Sequence, residues 1–172
     1  MIDVTLLKKF LKLAGDQLTG DWVLMGGTVL PLLGIHYRTT VDIDLVGTTE
    51  KQLTQNLKLM EIAETLKLPV ETINQAGAYF LHKLPNFRDH LIVLHHGKHA
   101  TLFRPDLELF IELKMDRLSD TDYHDCVEFI RYVKANNESF DHKRIIKKLT
   151  RELKMSENES KKKKLTSLIE AI

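Results

Sequence analysis

The sequence predicts an α/β protein in which an α/β segment comes first and an all-α region follows. Three observations lead there. An apolar run, Trp22 to Met25, stops at Gly26-Gly27 and is followed by a helix-capable segment and a second, β-branched run ending at Val46. Strand-like segments between positions 78 and 104 are separated by turns at Pro85-Asn86 and Gly97-Lys98. From Pro105 onward every apolar pattern has helical period. The chain of 172 residues is 43% hydrophobic and 28% charged, which suits one globular domain with a helical appendage.

Each element has a local reason. Val4 to Ala14 reads as a helix, with Leu6, Leu7, Phe10, Leu11 and Leu13 at helical spacing. Asp21 to Met25 is a short buried strand, and Thr28 to Leu33 a helix ended by Gly34. Thr39 to Val46 is a β-branched strand. Glu50 to Leu66 is a helix, with Thr49 and Gln52 spaced as a capping box. Ala78–Leu84, His90–His95 and Thr101–Arg104 are weaker strand candidates, read as antiparallel. Helices follow at Pro105–Leu118, with proline at the first helical position, then Thr121–Ala135 and Phe140–Lys154. Met155 to Lys164 is polar enough for a linker or frayed end, and Leu165 to Ile172 for a short terminal helix. The expected division is a core at 1–104, helices completing the site at 105–154, and a polar basic tail at 155–172.

Charge and composition narrow the class. The formal net charge is +1, yet Lys143 to Lys164 holds ten Lys/Arg against three Glu, which leaves the remainder acidic by six. In a helix Lys143, Lys147, Arg151 and Lys154 share one face, and Lys161–Lys164 lies just beyond. Such an arm is either a solvated helix surface or a track for RNA phosphates. No apolar stretch approaches the ~20 residues of a membrane span. The amphipathic N-terminus carries no small-residue cleavage site, so a signal peptide is not expected. A lone cysteine, Cys126, excludes an internal disulfide and fits a reducing cytoplasm.

Three places carry chemistry. Asp42 and Asp44 are two apart on a strand, so both project from one face while Ile43 enters the core. Adjacent carboxylates repel unless a cation sits between them and an incoming phosphate, a role suited to Mg²⁺. Gly26-Gly27 can present backbone N–H groups to an anion, and Thr28 begins the following helix. Arg38, four residues before Asp42, could bind phosphate or neutralise the carboxylates. Lys114 falls on the apolar stripe of Leu107, Phe110, Ile111 and Leu118. Asp122 sits on the stripe of the next helix and Asp125 at its edge. A buried lysine needs an anionic partner, so Lys114 either pairs with Asp122 structurally or reaches a phosphate while Asp122 or Asp125 orients it. His95, His96 and His99 flank a turn without zinc-type spacing, and Cys126 reads as a packed small hydrophobe.

At these residues the chain resembles the nucleotidyltransferase superfamily typified by DNA polymerase β, and within it the AbiEii-like nucleotidyltransferases of toxin–antitoxin and phage-defence systems. The resemblance rests on GG-x-V-L…LG…R-T-T-x-D-I-D-L from Gly26 to Leu45, on Lys114 with Asp122 and Asp125, and on Leu84-Pro85 followed by Arg88-Asp89. It implies a small mixed-sheet nucleotidyltransferase fold followed by a C-terminal helical region. The implied reaction moves a nucleoside monophosphate from an NTP to an acceptor hydroxyl, on RNA such as tRNA or on protein. By resemblance Asp42 and Asp44 hold Mg²⁺ or Mn²⁺. Gly26, Gly27, Thr28 and Arg38 bind the nucleotide, Lys114 contacts its phosphates, and Asp125 with Asp122 completes the site. It implies a cytoplasmic protein with NTP and a cognate antitoxin as partners and no membrane. Many members carry serine where Gly27 stands, and polymerase-like members place a third metal carboxylate on a later strand. Here Asp89 lies at a strand edge, and Asp106 and Glu108 begin a helix. The alternative reading is a catalytically silent relative that binds a nucleotide or partner and acts as a regulator.

Overall fold

The computed structural model describes residues 2–172 and divides into two compact units, Met1–Pro105 and Asp106–Ile172. Unit 1 runs α1 (Val4–Gln17), β1 (Gly20–Leu24), a 3₁₀ turn at Gly26–Thr28, α2 (Val29–Leu32), β2 (Ile43–Gly47), a 3₁₀ segment at Glu50–Gln55, α3 (Asn56–Thr65), β3 (Ile73–Asn74), α4 (Ala78–Lys83), β4 (Leu91–His96) and β5 (Ala100–Pro105). Among the described residues the strands form a five-stranded mixed sheet in the order β3-β2-β1-β5-β4. The β1/β2 and β4/β5 pairs are antiparallel, and β1/β5 and β2/β3 parallel. The mixed α/β architecture and the helical region after it are those the sequence predicts.

The sheet's centre is the core of unit 1. Trp22, Val23 and Leu24 of β1 and Ile43, Leu45 and Val46 of β2 are buried, together with Leu7, Phe10 and Leu18 from α1 and its end. Thr49 and Gln52 form the capping box their spacing predicts, with Thr49 N–H donating to Gln52 Oε1 at 2.8 Å.

Unit 2 is helical throughout: α5 (Leu107–Met115), α6 (Asp120–Ala135), α7 (His142–Met155) and α8 (Glu159–Ala171). Phe110 of α5 meets Phe129 of α6 edge-to-face, with ring centroids 4.5 Å apart. Cys126, Ile130, Val133, Ile145, Leu149, Leu165 and Leu168 are buried with them. No helix among the described residues is long and apolar enough to cross a membrane.

Several predicted elements change. The helix expected at Glu50–Leu66 opens as a 3₁₀ segment, Glu50–Gln55, and the one expected at Thr28–Leu33 is α2, Val29–Leu32, with Thr28 in the 3₁₀ turn before it. Residues 78–83, expected as a strand, form α4, which buries Leu81 and leaves Tyr79 and Phe80 exposed. Pro105 ends β5 instead of opening a helix, and Asp106 caps α5 by accepting from Leu109 N–H at 2.9 Å. The second strand begins at Ile43, not Thr39. Residues 159–171, expected to be partly linker, form the whole of α8, capped by Asn158 and anchored by Leu165 and Leu168.

Candidate functional site

In unit 1 the glycine turn is built against the start of β2. The β1/β2 ladder pairs Leu24 with Leu45, and Met25 N–H donates to the Asp44 carbonyl at 2.8 Å. The next residue, Gly26, thereby lies against the Asp44 side chain. It has φ +59°, which disfavours any residue with a Cβ, and a Cβ built there would collide with Asp44 Oδ2. Gly27 meets the guanidinium of Arg38 in the same way: a built Cβ would lie 2.7 Å from Arg38 Cζ and closer still to Nη2. A carboxylate and a guanidinium therefore rest on two adjacent, side-chain-free positions of one turn.

Surrounding bonds fix this pair. Thr28 is fully buried. Its hydroxyl donates to the Asp42 carbonyl at 3.0 Å and accepts from Asp44 N–H at 3.2 Å, bridging both ends of the Asp-Ile-Asp segment. Thr40 Oγ1 donates to the same Asp42 carbonyl at 3.2 Å. Residues 39–42, outside the sheet ladder, are thus held by hydroxyls. Asn74 of β3 stands opposite Asp44 in the parallel register, and its Nδ2 donates to Asp44 Oδ1 at 3.0 Å. Arg38 Nε donates to the Tyr37 hydroxyl at 3.2 Å, and Nη1 to the Thr39 carbonyl at 3.4 Å. Ile43 is fully buried, Asp44 half-buried and Asp42 exposed.

Unit 1 therefore brings together Gly26, Gly27, Arg38 and Asp44, with Thr28 and Asn74 as supports. The Thr28 hydroxyl is spent on the backbone, so its part in the site is to position Asp42 and Asp44. Asn74 was missed in the sequence reading: its strand is two residues long and has no periodicity, so only the β2/β3 pairing reveals it.

Unit 2 brings Lys114, Asp122 and Asp125 into one cluster. Lys114 Nζ donates to Asp125 Oδ2 at 2.7 Å and to Asp122 Oδ1 at 3.1 Å. The lysine side chain is 10% exposed, Asp122 1% and Asp125 0%. Arg117 adds a bidentate grip on Asp122, Nε to Oδ2 at 2.7 Å and Nη2 to Oδ1 at 2.9 Å. Asp122 also completes a capping box with Ser119. It accepts from Ser119 N–H at 3.1 Å and from Oγ at 2.7 Å, while its own N–H donates to Ser119 Oγ at 3.2 Å.

Burial alone would raise the Asp122 carboxyl. The bonds from Arg117 and Ser119 and the charge of Lys114 outweigh it and hold the group well below the usual carboxylate range. Asp122 thus accepts five hydrogen bonds and acts on Lys114 and the start of α6. The Ser119-x-x-Asp122 spacing is a readable capping signal, and Arg117, three residues after Lys114, is the partner that sequence reasoning missed. Burial pushes the neighbouring Cys126 thiol up to about 12, as suits a packed small hydrophobe.

Among the described residues no group of three His, Cys, Asp or Glu is arranged to bind a metal ion. His95 lies over Gly15 of α1, and His96 Nδ1 is 3.4 Å from Thr101 Oγ1.

Comparison with curated proteins and with solved structures finds no match. A family model, described as a nucleotidyltransferase of unknown function (DUF6036), matches residues 4–167. That match takes in the glycine turn with Arg38, the Asp-Ile-Asp segment and the Lys114 cluster, and the chain belongs to this nucleotidyltransferase family.

Proposed function

We propose that this protein transfers a nucleoside monophosphate from an NTP to an acceptor hydroxyl, with a divalent cation on Asp42 and Asp44. The observation that carries the reading is the turn at Gly26-Gly27, on which the Asp44 carboxylate and the Arg38 guanidinium rest side by side. The donor set fits Mg²⁺ or Mn²⁺: it is all oxygen, one carboxylate is held by the Asn74 amide, and the other is exposed. Mg²⁺ uses only one or two protein carboxylates and takes its other ligands from phosphate and water. When bound, the cation supplies neutralisation of charge on the phosphoryl oxygens.

The chain's own residues supply orientation. Arg38 offers a planar fork to phosphate oxygens. Gly26 and Gly27 let the triphosphate approach the backbone closely. Thr28 and Asn74 keep the carboxylates in register. These contacts hold the α-phosphate for in-line attack by the acceptor oxygen, with pyrophosphate leaving. Within the superfamily we assign the chain to the AbiEii-like toxin type, with a cognate antitoxin as partner and the cytoplasm as its compartment, on the Gly26–Leu45 signature.

Asn74 favours a second reading. The strand beside Asp44 presents an amide where a carboxylate would add a metal ligand, as in a silent nucleotide-binding regulator. Each of four α-labelled NTPs with Mg²⁺, total RNA and lysate separates the two. Label transferred to an acceptor, and lost in Asp42→Asn with Asp44→Asn, supports the enzyme. NTP binding without transfer supports the regulator, and neither result overturns both.

A further inference from the structure

Three Phe, Tyr or Trp side chains are exposed among the described residues, Tyr37 at 42%, Tyr79 at 62% and Phe80 at 50%, and all three belong to unit 1. Leaving large rings in water forfeits the stabilisation that burial would give them, so where they stand is informative. Both segments that carry them reach the glycine turn. The Tyr37 hydroxyl accepts from Arg38 Nε, and that guanidinium rests on Gly27. Tyr79 and Phe80 stand on α4 and take no part in the phosphate and metal contacts.

The backbone seats α4 beside the carboxylates. Asp44 and Val46 are two apart on β2, so they project from one face of the sheet. Gly77, at the start of α4, lies against that face. A Cβ built on it would be 3.1 Å from Cε of Met25, the residue before the glycine turn, and 3.5 Å from Val46 Cγ2. The Asn74 amide joins the two places: its Nδ2 donates to Asp44 Oδ1 at 3.0 Å, and its Oδ1 accepts from Ala76 N–H at 2.9 Å. His82 Nε2 donates to the Gly47 carbonyl at 2.9 Å, which turns its flank of α4 toward the far end of β2. Phe80 is about 200° round the helix from His82, on the opposite flank, with Leu81 buried between them.

We infer that Tyr79 and Phe80 form a stacking platform for the base of the nucleotide whose phosphates the glycine turn takes. The rings meet edge to face, with centroids 5.4 Å apart and planes at 84°. Lys83 Nζ lies 3.7 Å from the Tyr79 centroid and donates to the Tyr79 hydroxyl, so the pair is held in place before a ligand arrives. Its sequence neighbours Gln75, His82 and Lys83 are polar. Two part-exposed rings of about 150–250 Å² each fall far short of the ~800 Å² per partner of a stable protein interface, and they match one planar heterocycle. Stacking uses a π-face that every base has, so the platform accepts all four bases and holds purines tighter through their larger face. The inference rests on the nucleotidyl-transfer reading for the presence of a nucleotide, while the placement of the rings rests on the contacts of α4.

The test is calorimetry with Mg²⁺ and three probes: a non-hydrolysable ATP analogue, the matching CTP analogue, and inorganic tripolyphosphate, which has the phosphates and no base. Tyr79→Ala with Phe80→Ala should weaken both nucleotides about tenfold or more, the ATP analogue by the larger factor. Tripolyphosphate affinity should stay unchanged, and the melting temperature should move little because both rings are exposed. Tyr79→Phe with Phe80→Tyr, which keeps both π-faces, should bind the nucleotides as the wild type does. Nucleotide affinity that is equal in the double-Ala variant, or a loss that tripolyphosphate shares, overturns the platform. Tripolyphosphate binding without nucleotide binding in the wild type overturns the platform and leaves the phosphate site standing. A wild type that binds none of the three probes overturns both proposals.

Discussion

Lys114→Met removes a cation that bridges two buried carboxylates. In the wild type Lys114 Nζ lies 2.7 Å from Asp125 and 3.1 Å from Asp122. After substitution Asp122 retains Arg117 and Ser119, whereas Asp125 loses a charge-assisted bond at a position with no solvent access. Breaking a buried ion pair from one side costs about 3–5 kcal/mol, because the remaining charge stays desolvated. For a chain of this size that lowers the melting temperature by about 6–20 °C. Urea denaturation followed by circular dichroism measures it. Adding Asp125→Asn removes the charge that Lys114 balanced and should recover part of the loss. A loss below about 1 kcal/mol for Lys114→Met, with no recovery in the double variant, refutes the reasoning. NTP affinity of the same variant, measured below its melting point, reads any phosphate contact separately. Unchanged affinity assigns Lys114 to the ion cluster alone.

Three further outcomes follow from the geometry. Gly26→Ala places a Cβ at φ +59° and onto Asp44 Oδ2, so strain of about 1–2 kcal/mol and a displaced carboxylate should leave the fold but weaken Mg²⁺-NTP binding at least about tenfold by calorimetry. Asn74→Asp sets a second carboxylate about 3 Å from Asp44 Oδ1, so thermal stability should fall without metal and rise with added Mg²⁺ more than in the wild type. The Asp122 carboxyl is depressed in the folded state, so its contribution is present above the ordinary value of 3.8 and lost as pH falls below it. Stability measured from pH 5 down to pH 2 should therefore decline less steeply in Asp122→Asn than in the wild type.

The features legible in the sequence are those with period or local chemistry. The apolar spacing of α1, α5, α6 and α7 is a single-helix property, and Thr49/Gln52 is a local pattern of hydrogen bonding. The glycine pair and the Asp-Ile-Asp segment stand out in the sequence because adjacent glycines at a strand end and paired carboxylates are local patterns. The misread elements depended on tertiary context. Tyr79 and Phe80 have strand propensity, yet the turn at Gly77, whose carbonyl accepts from Leu81 N–H at 3.0 Å, winds the segment into a helix. Lys161 and Lys164 read as part of a solvated linker because their acidic partners, Glu152 and Asp120, lie outside their own helix. Asn74 could not be found without its strand partner. The Lys114–Asp122–Asp125 cluster was visible as an anomaly of charge on apolar stripes, but the capping box and Arg117, which give Asp122 its structural work, emerge only from the folded helices.

The most direct measurement of the central claim is calorimetric binding of a non-hydrolysable NTP with Mg²⁺, comparing the wild type with Arg38→Ala and with Asp42→Asn plus Asp44→Asn. The account predicts saturable binding to the wild type and loss of its Mg²⁺-dependent part in the double aspartate variant. It also predicts metal-independent weakening in Arg38→Ala, with the melting transition of each variant intact. Binding that is absent for all four NTPs at millimolar concentration, or equal in all three proteins, would contradict it.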